Sequence, residues 1–344
     1  DIHRATFAAE GWVAAEQVDG LRDALAAAAA AAGRRPSAIV SVLPTRGATP
    51  PTHLPTNRFT RGFQGLVNTY GTPRYREANP GCFAIVLFPF LFGIMFGDVG
   101  HGLLLLGVAL YLIAHEAHYE RQTPNDITSM VYGGRYVLLL NALFSIYVGF
   151  IYNEAFSVPV GLFASRYHGA DAPAVYSPYP FGVDPAWQRA ANKMSFMNSY
   201  KMKTSIVVGV CQMALGLVLS LLNHLEFRDR RSIWFGFVPE MTFFMCIFGY
   251  LVVMIFTKWA TDWVAEEKAP PSLLNLLIAM FMSPGVYPEA DRLFPAQEYV
   301  QLLLVVVAVL AVPLLLVPKP LLAYLDMRRE AAARGERGEA TLPM

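Results

Sequence analysis

The sequence predicts an all-α polytopic membrane protein with six transmembrane helices, preceded by a small, partial α+β cytosolic segment at the amino end. Three observations carry this expectation. Of 344 residues, 55% are hydrophobic and only 15% are charged, against roughly 25% charged in soluble domains. The apolar residues come in long runs, each close to the ~20 residues that a spanning helix needs. The longest run, Phe83 to Ala114, is FAIVLFPFLFGIMFGDVGHGLLLLGVALYLIA, with Gly97-Asp98-Val99-Gly100-His101-Gly102 in its middle.

In chain order, Thr6 to Val13 reads as a short strand. Glu16 to Ala32 reads as a helix, because its alanine run favours helix and Gly33 stops it. Ala38 to Leu43 (AIVSVL) reads as a second strand, and Thr45 to Asn57 as a Pro/Thr-rich linker. Residues 1–56 thus form one segment. Residues 57–80 form an amphipathic entry segment, in which Phe59, Phe63, Leu66, Val67 and Tyr70 recur at helical spacing beside several arginines. It suits a membrane surface or a neighbouring soluble lobe equally well.

Residues 81–318 read as the membrane domain, with spans at 83–97, 99–114, 136–152, 204–222, 237–256 and 300–317. The 32-residue run Phe83 to Ala114 is too long for one span and about right for two short ones, broken at the glycines Gly97, Gly100 and Gly102. Asp98 and His101 at that break are either ionisable groups at membrane depth or a polar hairpin tip in headgroup water. Tyr136, Tyr152, Trp234, Trp259 and Tyr299 stand at span ends, as in an interfacial aromatic belt. Leu273 to Met282 is apolar but only ten residues long, which suits a re-entrant or surface helix.

Loop charge sets the orientation. If the first run is a hairpin, 115–135, 223–236 and 318–344 share the side of the amino terminus. They hold Arg121 and Arg135; Arg228, Arg230 and Arg231; and Lys319, Arg328, Arg329, Arg334 and Arg337. The loop 257–299 on the other side has three basic residues against six acidic ones. The loops 153–203 and 257–299 are therefore expected to be lumenal, and both termini cytosolic. A single first span would place the Arg228–Arg231 turn outside.

Several functions are disfavoured. Net charge is +1, so no basic field points to nucleic acid. No P-loop motif is present, and the glycines around Asp98 lie between apolar runs with no preceding strand, so no nucleotide is expected to bind. His115 and His118 miss the H-E-x-x-H spacing that zinc needs. Cys82, Cys211 and Cys246 are too far apart for a metal cluster and read as buried thiols. No metal, cofactor or catalytic residue is expected. There is no secretory signal and no initiator Met, so the chain is expected to begin inside a longer protein. Glu154, after the third span, and Glu240, at the start of the fifth, read as proton-accessible carboxylates or as hydrated interfacial acids.

The stretch FPFLFGIMFGDVGHG resembles the first membrane hairpin of the subunit a (116 kDa) family of vacuolar-type proton-translocating ATPases. NRFTRGFQGLVNTYGTPRYREANP, PYPFGVDPAWQRAANKMSFMNSYKMKTSIVVGV, SLLNHLEFRDRRSIWFGFVPEMTFFMCIFGYLVVMIFTKW, LLNLLIAMFMSPG and LLLVPKPLLAY continue the likeness in order. The resemblance implies a non-hydrolysing stator subunit of a rotary pump, acting in ATP-driven proton translocation and enzyme assembly. Its implied partners are a proteolipid (c) ring, other membrane-sector and peripheral-stalk subunits, and the bilayer of a vacuole, endosome, lysosome or Golgi-type compartment. In this family an arginine on a later helix faces the ring. No arginine here lies mid-span, so 319–344 would be a cytosolic loop cut short before the ring-facing helices. Asp98, His101 and Glu154 would then line or shape a hydrated cavity, with Lys201 and Lys203 pairing with acids there. A proton-coupled secondary transporter and a non-transporting structural or trafficking scaffold are the alternatives.

Overall fold

The computed structural model describes residues 9–33, 39–43, 49–121, 126–167, 178–263, 269–285 and 292–339. The chain divides into two compact units, Asp1–Asn79 and Pro80–Met344.

In the first unit a short 3₁₀ turn, Ala15–Gln17, leads into α1 (Val18–Ala31). The alanine run ends at Gly33, whose φ of 66° is the left-handed stop that glycine favours. The described parts of the two expected strands, 9–13 and 39–43, carry no strand pairing. The entry segment holds α2 (Thr60–Asn68). Its start is fixed reciprocally: Thr60 N–H donates to Asn57 Oδ1 (2.7 Å), and Asn57 N–H donates to Thr60 Oγ1 (2.9 Å). The helix ends at Asn68, and Tyr70, the last of the residues at helical spacing, stands exposed beyond it.

The second unit is helical. The long apolar run forms α3 (Gly81–Phe96) and α4 (Val99–Ala114), with Asp98 between them. After α5 (Glu116–Arg121) and α6 (Asp126–Gly133) comes α7 (Arg135–Tyr152). A two-stranded hairpin follows, β1 (Glu154–Ala155) paired antiparallel to β2 (Val158–Pro159). The chain then enters α8 (Ala186–Arg189) and the 34-residue α9 (Lys193–Glu226). Next come α10 (Arg230–Ala260), α11 (Leu273–Met282), α12 (Gln297–Leu316) and α13 (Pro318–Glu339). Within α10, Ile233–Phe237 and Met245–Gly249 are π-helical turns.

Among the described residues, four helices are long and apolar enough to cross a membrane by length and composition: Arg135–Tyr152, Lys193–Glu226, Arg230–Ala260 and Gln297–Ala331. The first two expected spans fall below that length. At 16 residues each, α3 and α4 run about 24 Å at 1.5 Å per residue, against ~30 Å of hydrocarbon. The expected fourth span, 204–222, is only the apolar middle of α9, which at 34 residues is about 51 Å long. Part of the expected loop 153–203 is therefore the amino end of that helix.

Both α3 and α4 pack on α7 through small residues. A Cβ on Gly93 would stand 2.8 Å from the Phe144 carbonyl oxygen, and one on Gly102 would stand 2.7 Å from the Ile146 side chain. Ile94, Val148, Tyr152 and Met197 form one core, joining α3, α7 and α9. A second joins α10 and α11: Tyr250, Met254 and Ile255 meet Leu273, Leu276 and Met280.

Candidate functional site

The ionisable residues singled out in the sequence collect mainly at one end of the helices, where α3 turns into α4, α7 ends and α9 begins. A helix that stops leaves its last carbonyls and first N–H groups without partners, and in an apolar setting each would cost several kcal/mol. Here α7 supplies the acceptors' partners. The Tyr152 hydroxyl donates to the Ile94 carbonyl (2.8 Å) and the Ser145 hydroxyl to the Phe96 carbonyl (2.8 Å). Asp98 supplies the other half. Its Oδ1 accepts from His101 N–H (2.9 Å) and caps α4.

The same carboxylate reaches 58 residues along the chain. Phe156 N–H donates to Oδ1 and Ser157 N–H to Oδ2, each at 3.0 Å. These two residues are the tip of the β1–β2 hairpin, and both are left-handed, with φ of 49° and 62°. Such a turn normally takes Asn-Gly; Phe-Ser is held in it by the buried Asp98. The Phe156 ring lies over Gly100, where a Cβ would come within 2.4 Å of it, and meets His101 edge-on at 5.2 Å. His101 Nδ1 is 3.2 Å from Asp98 Oδ1, but its own side chain is half-exposed. Gly97 packs under Val148 and Tyr152, and Gly149 of α7 lies against the backbone of Asp98 and Val99. The three turn glycines are thus packing positions.

Glu154 is buried beside this cluster and pairs with Lys201 of α9, Nζ to Oε2 2.9 Å. The Lys201 ammonium also lies 4.7 Å from the Tyr152 ring centre. Asn153 ends α7 in the left-handed conformation, and its amide donates to the carbonyls of Phe181 (3.2 Å) and Val183 (2.6 Å). In that loop Asp184 accepts from Ala186 N–H, Ser165 Oγ and Arg166 N–H. Burial alone would raise its carboxyl, but those three bonds outweigh it and hold it below the usual carboxylate range.

Two expected residues stay outside. Lys203 has no carboxylate within ion-pair distance among the described residues, and it lies within electrostatic reach of Lys258 instead. Glu240 is exposed one residue after Pro239, ten residues into α10 and away from the end of that helix that meets Tyr200 through Trp259. The remote end of α7 holds a pair the sequence did not single out. Arg135, buried between the Tyr132 and Tyr136 rings, donates to Glu116 Oε1 at 2.6 Å. Tyr152, Asn153, Phe156 and Ser157 were also missed. Only Asn153, an Asn directly after an apolar helix, carried a readable signal, that of a helix stop. Chemically, the Asp98 and Glu154 carboxylates are paired acceptors that fix one helix break, one hairpin and one long helix to each other, while the buried Asn153 Oδ1 has no hydrogen-bond partner.

The sequence matches the V-type ATPase 116kDa subunit family over residues 1–341. The chain belongs to that family. Within the 116kDa subunit family it is 43% identical over 332 residues to a V-type proton ATPase subunit a of Schizosaccharomyces pombe, covering 94% of this chain and 40% of the relative. It is 43% identical over 333 residues to the vacuolar proton translocating ATPase 100 kDa subunit of Dictyostelium discoideum, covering 93% and 41%. To the human V-type proton ATPase 116 kDa subunit a 2 it is 39% identical over 355 residues, covering 93% and 41%. The chain thus spans about two-fifths of the length of these 116kDa subunit relatives.

Proposed function

We propose that these residues form the fixed helical scaffold of subunit a in a proton-translocating V-type rotary ATPase, taking part in ATP-driven proton movement without hydrolysing ATP. The observation that carries the reading is the closed polar cap, Asp98 on the Phe156–Ser157 turn with Glu154 on Lys201, within a chain of this family. A stator beside a turning ring must resist lateral force, and charge-assisted bonds that tie three helices at one level supply that rigidity. Asp98, Glu154 and Lys201 act in this reading as positioning groups at the edge of the proton route. His101, Lys203 and Glu240 are secondary polar positions. The relatives do not favour a secondary transporter or a non-transporting scaffold.

Six membrane passages suit the geometry. The α3–α4 pair brings the chain to the cap end and back, because α4 starts beside the end of α7 and Glu116 lies beside its start. The four long helices make the other passages. The Arg-rich turn 228–231 and α13 then share a side with the amino terminus, which favours a cytosolic face there and a lumenal cap. The proposed partners are the proteolipid ring and the other membrane-sector and stalk subunits, in an acidifying compartment.

The test is affinity purification of the tagged protein from gently solubilised membranes, with ATP-driven acidification measured on the same membranes. Co-purification of proteolipid and ATP-hydrolysing subunits is expected. For Lys201→Met, acidification should fall in proportion to the assembled enzyme. Absence of ATPase subunits from the purified complex would overturn the reading. Lost acidification at full assembly would move Lys201 from the scaffold into the proton route.

A further inference from the structure

We propose that the turn between α9 and α10 binds the phosphate of an anionic glycerophospholipid between Arg228 and Arg230. The turn is rigidly shaped. Asp229 N–H donates to the His224 carbonyl (3.0 Å) and Arg228 N–H to the Leu225 carbonyl (3.1 Å), with Arg228 held at a φ of 53°. The acid inside the turn is occupied: Asp229 accepts from Ser232 N–H (3.2 Å) and from Ser232 Oγ (2.6 Å). The third arginine is occupied too, since Arg231 pairs with Asp326 of α13, which Arg329 also approaches. Arg228 and Arg230 are exposed, and neither has a carboxylate within ion-pair distance among the described residues.

Arg228 and Arg230 both line a groove of about 370 Å³, whose remaining walls are Leu225 and Ile233. Leu225 is exposed, as is the neighbouring Trp234. The groove therefore offers two unpaired cations and an apolar wall at the end of two membrane-length helices. A soluble anion would use the cations alone. A phospholipid uses both, with its phosphate in the paired guanidinium forks and its acyl chain along Leu225 and Ile233. Basic residues next to a membrane attract anionic headgroups, and tryptophan, the residue at 234, is enriched at headgroup depth. The inference needs only a membrane-embedded chain and is independent of the pump reading.

The experiment is native mass spectrometry of the full chain in detergent micelles, titrated with phosphatidylserine or with phosphatidylcholine of the same acyl chains. The intact protein is expected to prefer phosphatidylserine about tenfold or more, and Arg228→Gln/Arg230→Gln to lose about thirtyfold in phosphatidylserine affinity. Arg328→Gln/Arg329→Gln, on α13, should stay within about twofold, since those residues lie outside the groove. If the glutamine pair fails to fold, Arg228→Lys/Arg230→Lys keeps the charge but not the fork, and should lose about fivefold. Equal affinity for the two lipids would overturn the proposal. So would an unchanged arginine double variant, or an equal loss from the α13 pair. Full displacement of the lipid by excess inorganic phosphate would show a free-anion site and overturn it as well.

Discussion

Replacing Asp98 by asparagine tests the polar cap most directly, because the two side chains have nearly the same shape. In the protein the carboxylate accepts three backbone N–H bonds at 2.9, 3.0 and 3.0 Å. Hydrogen bonds to a charged group are worth about 1.5–3 kcal/mol each, so the three together supply roughly 5–9 kcal/mol. Against them stands the left-handed backbone of Phe156 and Ser157, at about 1–2 kcal/mol per residue. The carboxylate wins with room to spare. Asparagine keeps one oxygen, able to accept from His101 and Phe156 as neutral bonds of about 0.5–1.5 kcal/mol each. Its amino group then faces Ser157 N–H, donor against donor. The remaining 1–3 kcal/mol no longer exceeds the turn's strain, about 2–4 kcal/mol in all. The Phe156–Ser157 turn is therefore expected to open. Hydrogen exchange of a peptide covering 153–160, compared with one from the middle of α7, reads this directly. Exchange should accelerate by about two orders of magnitude, which corresponds to roughly 3 kcal/mol. Exchange within about threefold of the unaltered protein would refute the clamp.

Three further outcomes are expected. Gly149→Ala places a Cβ 2.4 Å from Val99 N and 2.7 Å from the Asp98 carbonyl carbon, both backbone, so it should cost about 1–3 kcal/mol. Gly107→Ala, in mid-helix with nothing within 4 Å, should instead stabilise by about 0.5–1 kcal/mol; thermal unfolding in detergent compares the two. Glu116→Gln leaves Arg135 buried and unpaired, a loss of about 3–5 kcal/mol, whereas Glu116→Leu/Arg135→Met should recover most of it. Asp184 has a depressed carboxyl, so its share of loop stability is complete above the ordinary carboxylate value of about 3.9. That share is lost only as pH falls through the lower, folded value. Exchange of the 178–185 backbone should thus be pH-independent from neutral to pH 5 once corrected for intrinsic rates, and loosening already at pH 5 would contradict the assignment.

The break in the long apolar run was legible because Gly97 and Asp98 announce it: one ends a helix and the other caps the next. The reach of α9 was not. Hydropathy marks where apolar side chains stop, whereas backbone hydrogen bonding continues through Lys193 to Lys203, which contains no Gly or Pro. The β1–β2 hairpin was invisible for a different reason. Its Phe-Ser tip has no turn preference of its own and takes its shape from Asp98, 58 and 59 residues away. Glu154 was found as an acid at a helix end, and its pairing with Lys201 followed once the resemblance had put both at one interface. Lys203, two residues on, lies within electrostatic reach of Lys258 instead, since residues two apart on a helix lie on different faces. Arg135 read as an ordinary flanking charge because nothing local reveals that two tyrosine rings enclose it.

The two π-helical turns of α10 bear on how this helix tolerates changes in length. A π turn carries one residue more than the α-helical turn it replaces, so Ile233–Phe237 and Met245–Gly249 each hold a spare residue. Deleting one residue within either turn returns it to α-helix and leaves the flanking faces in place. Deleting one between Tyr250 and Val253 instead rotates all that follows by about 100°. The second case would swing Met254 and Ile255 off α11, where they are now almost completely buried. Length variation in this helix should therefore fall at 233–237 and 245–249, the two places where the backbone can shed a residue without moving its neighbours.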